Sequence, residues 1–149
     1  MSQRGDDTLI STSPIDSAEL LALYDEAKDM LTEAADYFSG PGNPKNLELT
    51  GENSLAYAEG SKSITARLME IMAWLFVQRA VLAGEMRPEE ALKSDNRLGA
   101  VTASSVDTSD QRYNLPERFQ DLGQRCNDLF DRVYKIDQLL NAPPTSAVH

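Results

Sequence analysis

The chain is poor in the residues that carry out chemistry. Its 149 residues include one cysteine, Cys126, and one histidine, His149. A single cysteine excludes an internal disulfide and fits a reducing compartment. An imidazole at the last position has nothing to fix its tautomer, which argues against a catalytic base. With no histidine to activate it, Cys126 reads more readily as a small core hydrophobe than as a nucleophile. The sequence has no EF-hand loop, and no Glu-x-x-His pair of the kind that holds metals between helices. Gly40-Pro41-Gly42 runs into a further proline at Pro44, so it is a turn and not a phosphate cradle. The expectation is no enzyme activity, no metal and no cofactor.

Positive charge is scarce as well. Fourteen Lys and Arg face 24 Asp and Glu, a net charge of −10. That balance repels nucleic-acid phosphates and anionic lipid, so neither nucleic acid nor a membrane is expected as a partner. It suits solubility alone, or a partner with basic patches. Long apolar runs are missing. Ile71 to Val77 is seven residues, against roughly 20 for a membrane span. The segment up to Pro14 lacks the apolar centre of a signal peptide. These features predict a cytoplasmic protein.

What the chain does have is helical periodicity. Asp16 or Ser17 can cap a helix over about 18–38, with Glu19 in its first turn. Leu20, Tyr24, Ala27, Leu31, Ala34 and Phe38 recur at spacings of four and three. Between Asp16 and Phe38 there are seven acidic residues and one basic, Lys28, so this helix holds more than half of the net charge. Its row of Asp25, Asp29 and Glu33 reads as a solvated face or as a docking face for a basic partner. Ser39 to Pro44 ends the helix.

A second helix is expected over about 54–83, closed by Gly84. Its seven-residue apolar run leaves no polar side, so it must be covered on more than one side and form the hub of a bundle. Ile64, Leu68, Ile71, Leu75 and Leu82 form one stripe; Met69, Ala73, Phe76, Ala80 and Ala83 form another. Two stripes predict two neighbours, either helices or a second subunit. Trp74 reads as core or as an interface anchor. Gln78 and Arg79 interrupt the run. Arg79 must pair with a carboxylate, meet a partner, or reach water along its own stem.

Arg87 to Leu92 reads as a short helix with proline at its start. From Ser94 to Leu115 little periodicity remains, and 104–110 has the composition of a flexible loop. Connections this long are usually functional or disordered. Arg97, Arg112 and Tyr113 in this loop either meet another protein or pin the loop to the bundle. A third long helix opens at Leu115-Pro116-Glu117. In it Phe119, Leu122, Cys126, Leu129, Val133, Ile136 and Leu140 alternate spacings of three and four without a miss. Asn141 to Pro144 stops it. The organisation is then a flexible N-terminus over 1–15, a helical domain over 16–142 and a flexible tail over 143–149. The fold class is all-α: an antiparallel three-helix bundle with a short extra helix and a long flexible loop between helices 2 and 3.

Two segments carry a family resemblance. Ala73 to Met86, with Glu89-Glu90-Ala91, resembles the central block of an alphaproteobacterial family first catalogued as of unknown function, which includes the regulator of CtrA degradation. Leu115-Pro116-Glu117 with Leu122, Arg125-Cys126, Leu129-Phe130, Arg132-Val133 and Ile136-Asp137 resembles that family's third helix, and Arg97-Leu98-Gly99 the stretch between. The resemblance covers roughly residues 18–142. It implies a three-helix bundle, commonly a homodimer, without enzymatic activity. It implies an adaptor that delivers cell-cycle transcription factors such as CtrA to ClpX and ClpP, docking through an accessory response-regulator-like protein and positioned at the cell pole.

The function read from the sequence is thus a non-enzymatic proteolytic adaptor, with Trp74, Gln78, Arg79, Arg97, Tyr113, Asp25, Asp29 and Glu33 as candidate contacts. The dimer contact is expected from Trp74 and Phe76 or from the third-helix stripe. An oligomeric structural or cell-division scaffold with no delivery role is the alternative. A DNA-binding regulator ranks behind it because of the acidity.

Overall fold

Asp16 starts the first helix, α1 (Ser17–Ser39), by accepting the Glu19 backbone N–H on its Oδ1 at 2.8 Å. Ile15 precedes this cap and Leu20 follows four residues into the helix; both are buried, the positions of a hydrophobic staple. Ile15 is therefore core, one residue inside the stretch expected to be a flexible terminus. The structure, a computed structural model, describes residues 15–93, 96–98 and 113–141. The expected loop over 104–110, Arg112 and the tail lie outside them.

A 3-10 turn (Pro44–Asn46), capped by Asn43, leads to the hub helix α2 (Gly51–Leu82). Its end is a Schellman motif. Gly84 N–H donates to the Val81 carbonyl at 3.1 Å and Glu85 N–H to that of Ala80 at 2.8 Å. Gly84 adopts φ 78°, which a side chain would strain. The short α3 (Pro88–Ala91) and the long α4 (Glu117–Leu140) complete the described elements, among which there is no strand.

Both α1 and α4 pack along α2 and touch each other less. The core holds Leu20, Leu23, Ala27, Met30, Ala34 and Tyr37 of α1. The α1 stripe is thus centred one residue away from the expected one, and Tyr24, Leu31 and Phe38 sit at its half-buried edge. The α4 stripe is buried from Phe119 to Val133, with Ile136 and Leu140 half-covered. Cys126 is fully buried among it, and burial pushes its thiol up to about 11.

The direction of α4 differs from a simple up-and-down order. Tyr57 of α2 meets Phe119 of α4 with ring centroids 4.5 Å apart, the Cys126 thiol faces the Ile64 carbonyl at 3.9 Å, and Trp74 meets Asp137 at 2.9 Å. Numbers rise together on both helices, so α2 and α4 run parallel. α1 is antiparallel to both, since Glu33 pairs with Arg125 and Glu26 with Arg132. Two parallel neighbours need a connection that returns the length of the bundle, which gives the long α2–α4 segment a structural reason. Its described points agree: Arg97 is tied to Asp137 at one end, and Asn114 N–H reaches Asn53 at the other.

Candidate protein-interaction surfaces

The first candidate group is a closed corner. Trp74 is 2% exposed, and its indole N–H donates to Asp137 Oδ1 at 2.9 Å. Asp137 is equally buried. Its Oδ2 pairs with the Arg97 guanidinium at 3.2 Å, and Asn141 lies at the edge at 3.5 Å. A buried carboxylate needs such donors, since an uncompensated one is costly. Trp74 and Gln78 therefore do not reach a partner from the folded bundle; their place is inside. Arg97 is spent on pinning the long connection, and Leu98 beside it is core. Tyr113, at the far end, packs half-buried against the core. Asp137 lies one position outside the apolar stripe of α4, so periodicity does not mark it as a buried contact. Nor does periodicity mark Arg67, which is buried with its guanidinium 4.0 Å from the Phe130 ring centroid.

The second group is a groove between α1 and α4 of about 510 Å3, floored by Met30 and edged by Glu26, Asp29, Glu33, Arg125, Asp128 and Arg132. Arg125 bridges Glu33 and Asp121, and Arg132 pairs with Glu26. The acidic face of α1 is thus partly neutralised by arginines of α4. Asp25 and Asp29 stay exposed, while Glu33 is half-buried. Its hydrogen bond to Arg125 holds the Glu33 carboxyl below its ordinary 4.5. A lowered native value means the pair stabilises above pH 4.5 and fades as pH falls below it. Solvent screening limits the pair to about 0.5–1 kcal/mol. Glu33→Gln should lower stability by that amount at pH 7 and flatten its acid loss between pH 5 and 3, measured by urea unfolding across pH. Equal acid slopes in both proteins would contradict the pairing.

The third group is the outer side of α2. Met69 is 55% and Phe76 51% exposed, and Ala66, Ala73 and Ala83 are open. The second α2 stripe, expected to be covered, is bare within one chain because α1 and α4 both share the opposite side. Phe76 meets Tyr24 only edge-on at 5.8 Å. The Arg79 guanidinium lies over that Tyr24 ring at 4.9 Å and reaches solvent. Among the described residues no carboxylate lies within ion-pair distance of it. Beside it, Ser17, Leu20, Leu21, Leu82 and Ala83 edge a shallow apolar cavity of about 300 Å3.

No group of metal-holding side chains occurs among the described residues, and none of their helices is long and apolar enough to cross a membrane. What the fold offers is faces. It belongs to the class of all-α three-helix bundles, here with two parallel helices and one antiparallel. The chain belongs to the family described as "Protein of unknown function (DUF1465)", which matches residues 12–149, and is RcdA-like. It is similar to the crystal structure of RcdA from Caulobacter crescentus CB15, with 30% identity, 81% of this chain and 89% of that chain covered, and a TM-score of 0.64. Comparison with curated proteins finds no match.

Proposed function

We propose that this chain is a non-enzymatic adaptor in regulated proteolysis. It presents cell-cycle transcription factors of the CtrA kind to a ClpX-type unfoldase and its ClpP protease, docking through an accessory response-regulator-like protein. The observation that carries this reading is the likeness to RcdA over most of both chains. Two surfaces support a role through contacts: an acidic groove on the α1–α4 side and an apolar side on α2. Binding through the acidic groove would be transient and salt-sensitive. A homodimer belongs to the proposal. Its contact lies on the outer side of α2, because Trp74 and the α4 stripe are used up in the core. A location in the cytoplasm, at the cell pole, goes with the role.

The test is degradation of candidate cargo by reconstituted protease and accessory protein, with and without this chain. The expected result is a rate at least about tenfold faster with it, because tethering cargo at the protease raises its effective concentration there. Unchanged rates across cargoes would remove the adaptor reading. The bare α2 face favours one second reading, an oligomeric scaffold. In that case the chain would assemble beyond dimers in sedimentation and leave every degradation rate unchanged.

A further inference from the structure

We propose that the outer face of α2 binds the same face of a second copy in antiparallel register, with Ala73 of one chain packed on Phe76 of the other. This rests on the homodimer of the proposed function and specifies its geometry.

The sequence of the face is the first argument. Ala66, Met69, Ala73, Phe76, Ala80 and Ala83 follow alternating spacings of three and four. That is the seam a helix presents to another helix in a coiled coil. The opposite side of the same helix, with Leu68, Ile71, Trp74 and Leu75, is already buried. So the seam is surplus to the monomer's core, and its two large side chains stand half in water.

Charge is the second argument. A chain of net charge −10 can meet itself only where acid does not face acid. No charged residue lies within the seam, and its flanks carry one residue of each sign, Glu70 and Arg79. The carboxylates of the α1–α4 groove sit on another side of the bundle.

Shape selects the orientation. Alanine occupies every first position of the repeat, and Met69 and Phe76 occupy second positions. Parallel pairing would set like against like. Phe76 would press on the partner's Phe76 and hold the helices apart, leaving gaps at the alanine layers. Antiparallel pairing sets first positions against second ones. Phe76 then meets the partner's Ala73, Met69 meets the partner's Ala80, and Ala66 meets the partner's Ala83. Each large side chain faces a small one, the alternation that fills an interhelical space. The alanines let the axes approach to about 8 Å, the close end of helix packing.

The test uses the full chain. Wild type should sediment as a dimer at about 10 μM, and Ala73→Asp should weaken dimerisation at least about tenfold by bringing two like charges near the axis. The position is exposed, so the helical circular-dichroism signal should be unchanged. Ala66→Cys and Ala83→Cys then read the register. Mixed under mild oxidation, the two variants should form an intermolecular disulfide. Neither should cross-link alone, because each site lies about 26 Å along the axis from its twin. Cys126 is fully buried and stays out of the reaction. Cross-linking of Ala66→Cys alone would establish parallel pairing and overturn the proposal. A wild-type dimer that Ala73→Asp leaves intact, or whose mixed cysteines fail to bridge, would overturn this geometry and leave the homodimer standing. A monomer at about 200 μM would overturn both, with delivery judged separately by the degradation assay.

Discussion

Phe119→Ala should lower the free energy of unfolding by about 4 kcal/mol, the largest effect expected of any single truncation in the bundle. Phe119 is completely buried at the start of α4. Its ring lies 4.5 Å from that of Tyr57 on α2 and 6.3 Å from that of Phe38 on α1, centroid to centroid. One side chain therefore joins all three long helices. Below it, Gly60 leaves room for the ring; a Cβ there would come within 2.5 Å of the Phe119 Cζ. The mid-helix glycine costs about 1 kcal/mol of helix propensity and is offset by this close aromatic fit. Removal of the ring forfeits its transfer free energy, opens a cavity and loses the aromatic pairs. At this chain length the midpoint of thermal unfolding should fall by roughly 8–16 °C. Urea unfolding should show a lower midpoint at an unchanged slope. A loss below about 1.5 kcal/mol would mean that the three helices do not converge on this residue.

Asp137→Ala should cost about 3 kcal/mol. It leaves the Trp74 indole N–H buried without an acceptor and strips the Arg97 guanidinium of its ion pair. Arg97 remains about one-third exposed and can turn to water, which keeps the loss below that of a fully enclosed pair. Asp137→Asn keeps an acceptor for Trp74 and should cost about half as much. Trp74 is the single tryptophan, so its emission reports on this corner directly and should shift to the red in Asp137→Ala. The same variant frees the start of the return connection, so cleavage by trypsin after Arg97 should speed up by more than cleavage after Arg125 in α4, which rises only with the global loss of stability. Unchanged emission and unchanged cleavage would show that the Arg97–Asp137 pair does not anchor the connection.

Much of the bundle was legible in the chain. The Asp16 cap, the Gly84 terminator and the unbroken α4 stripe are local signals, set by backbone geometry and by the spacing of apolar residues along one helix. The family resemblance, carried by the segment around Trp74 and by α4, agreed with the family match. The candidate contacts were less legible, because exposure is a property of the fold. Trp74 and Phe76 are two residues apart in one apolar run; helical rotation sends the first to Asp137 and the second to solvent. Arg97 and Arg79 look alike in the sequence, yet one is consumed by a buried carboxylate 40 residues away and the other lies over Tyr24.

The amino-acid order alone determined that three long helices form, where they begin and end, and that α2 carries more apolar surface than one neighbour can cover. Tertiary structure decided that α4 runs parallel to α2, that both neighbours share one side of it, and that the Met69–Phe76 stripe faces water. Helix formation is settled by residues within a turn or two of each other. Direction and burial are settled by contacts between residues about 60 positions apart, such as Trp74 with Asp137 and Ile64 with Cys126, which no local pattern encodes.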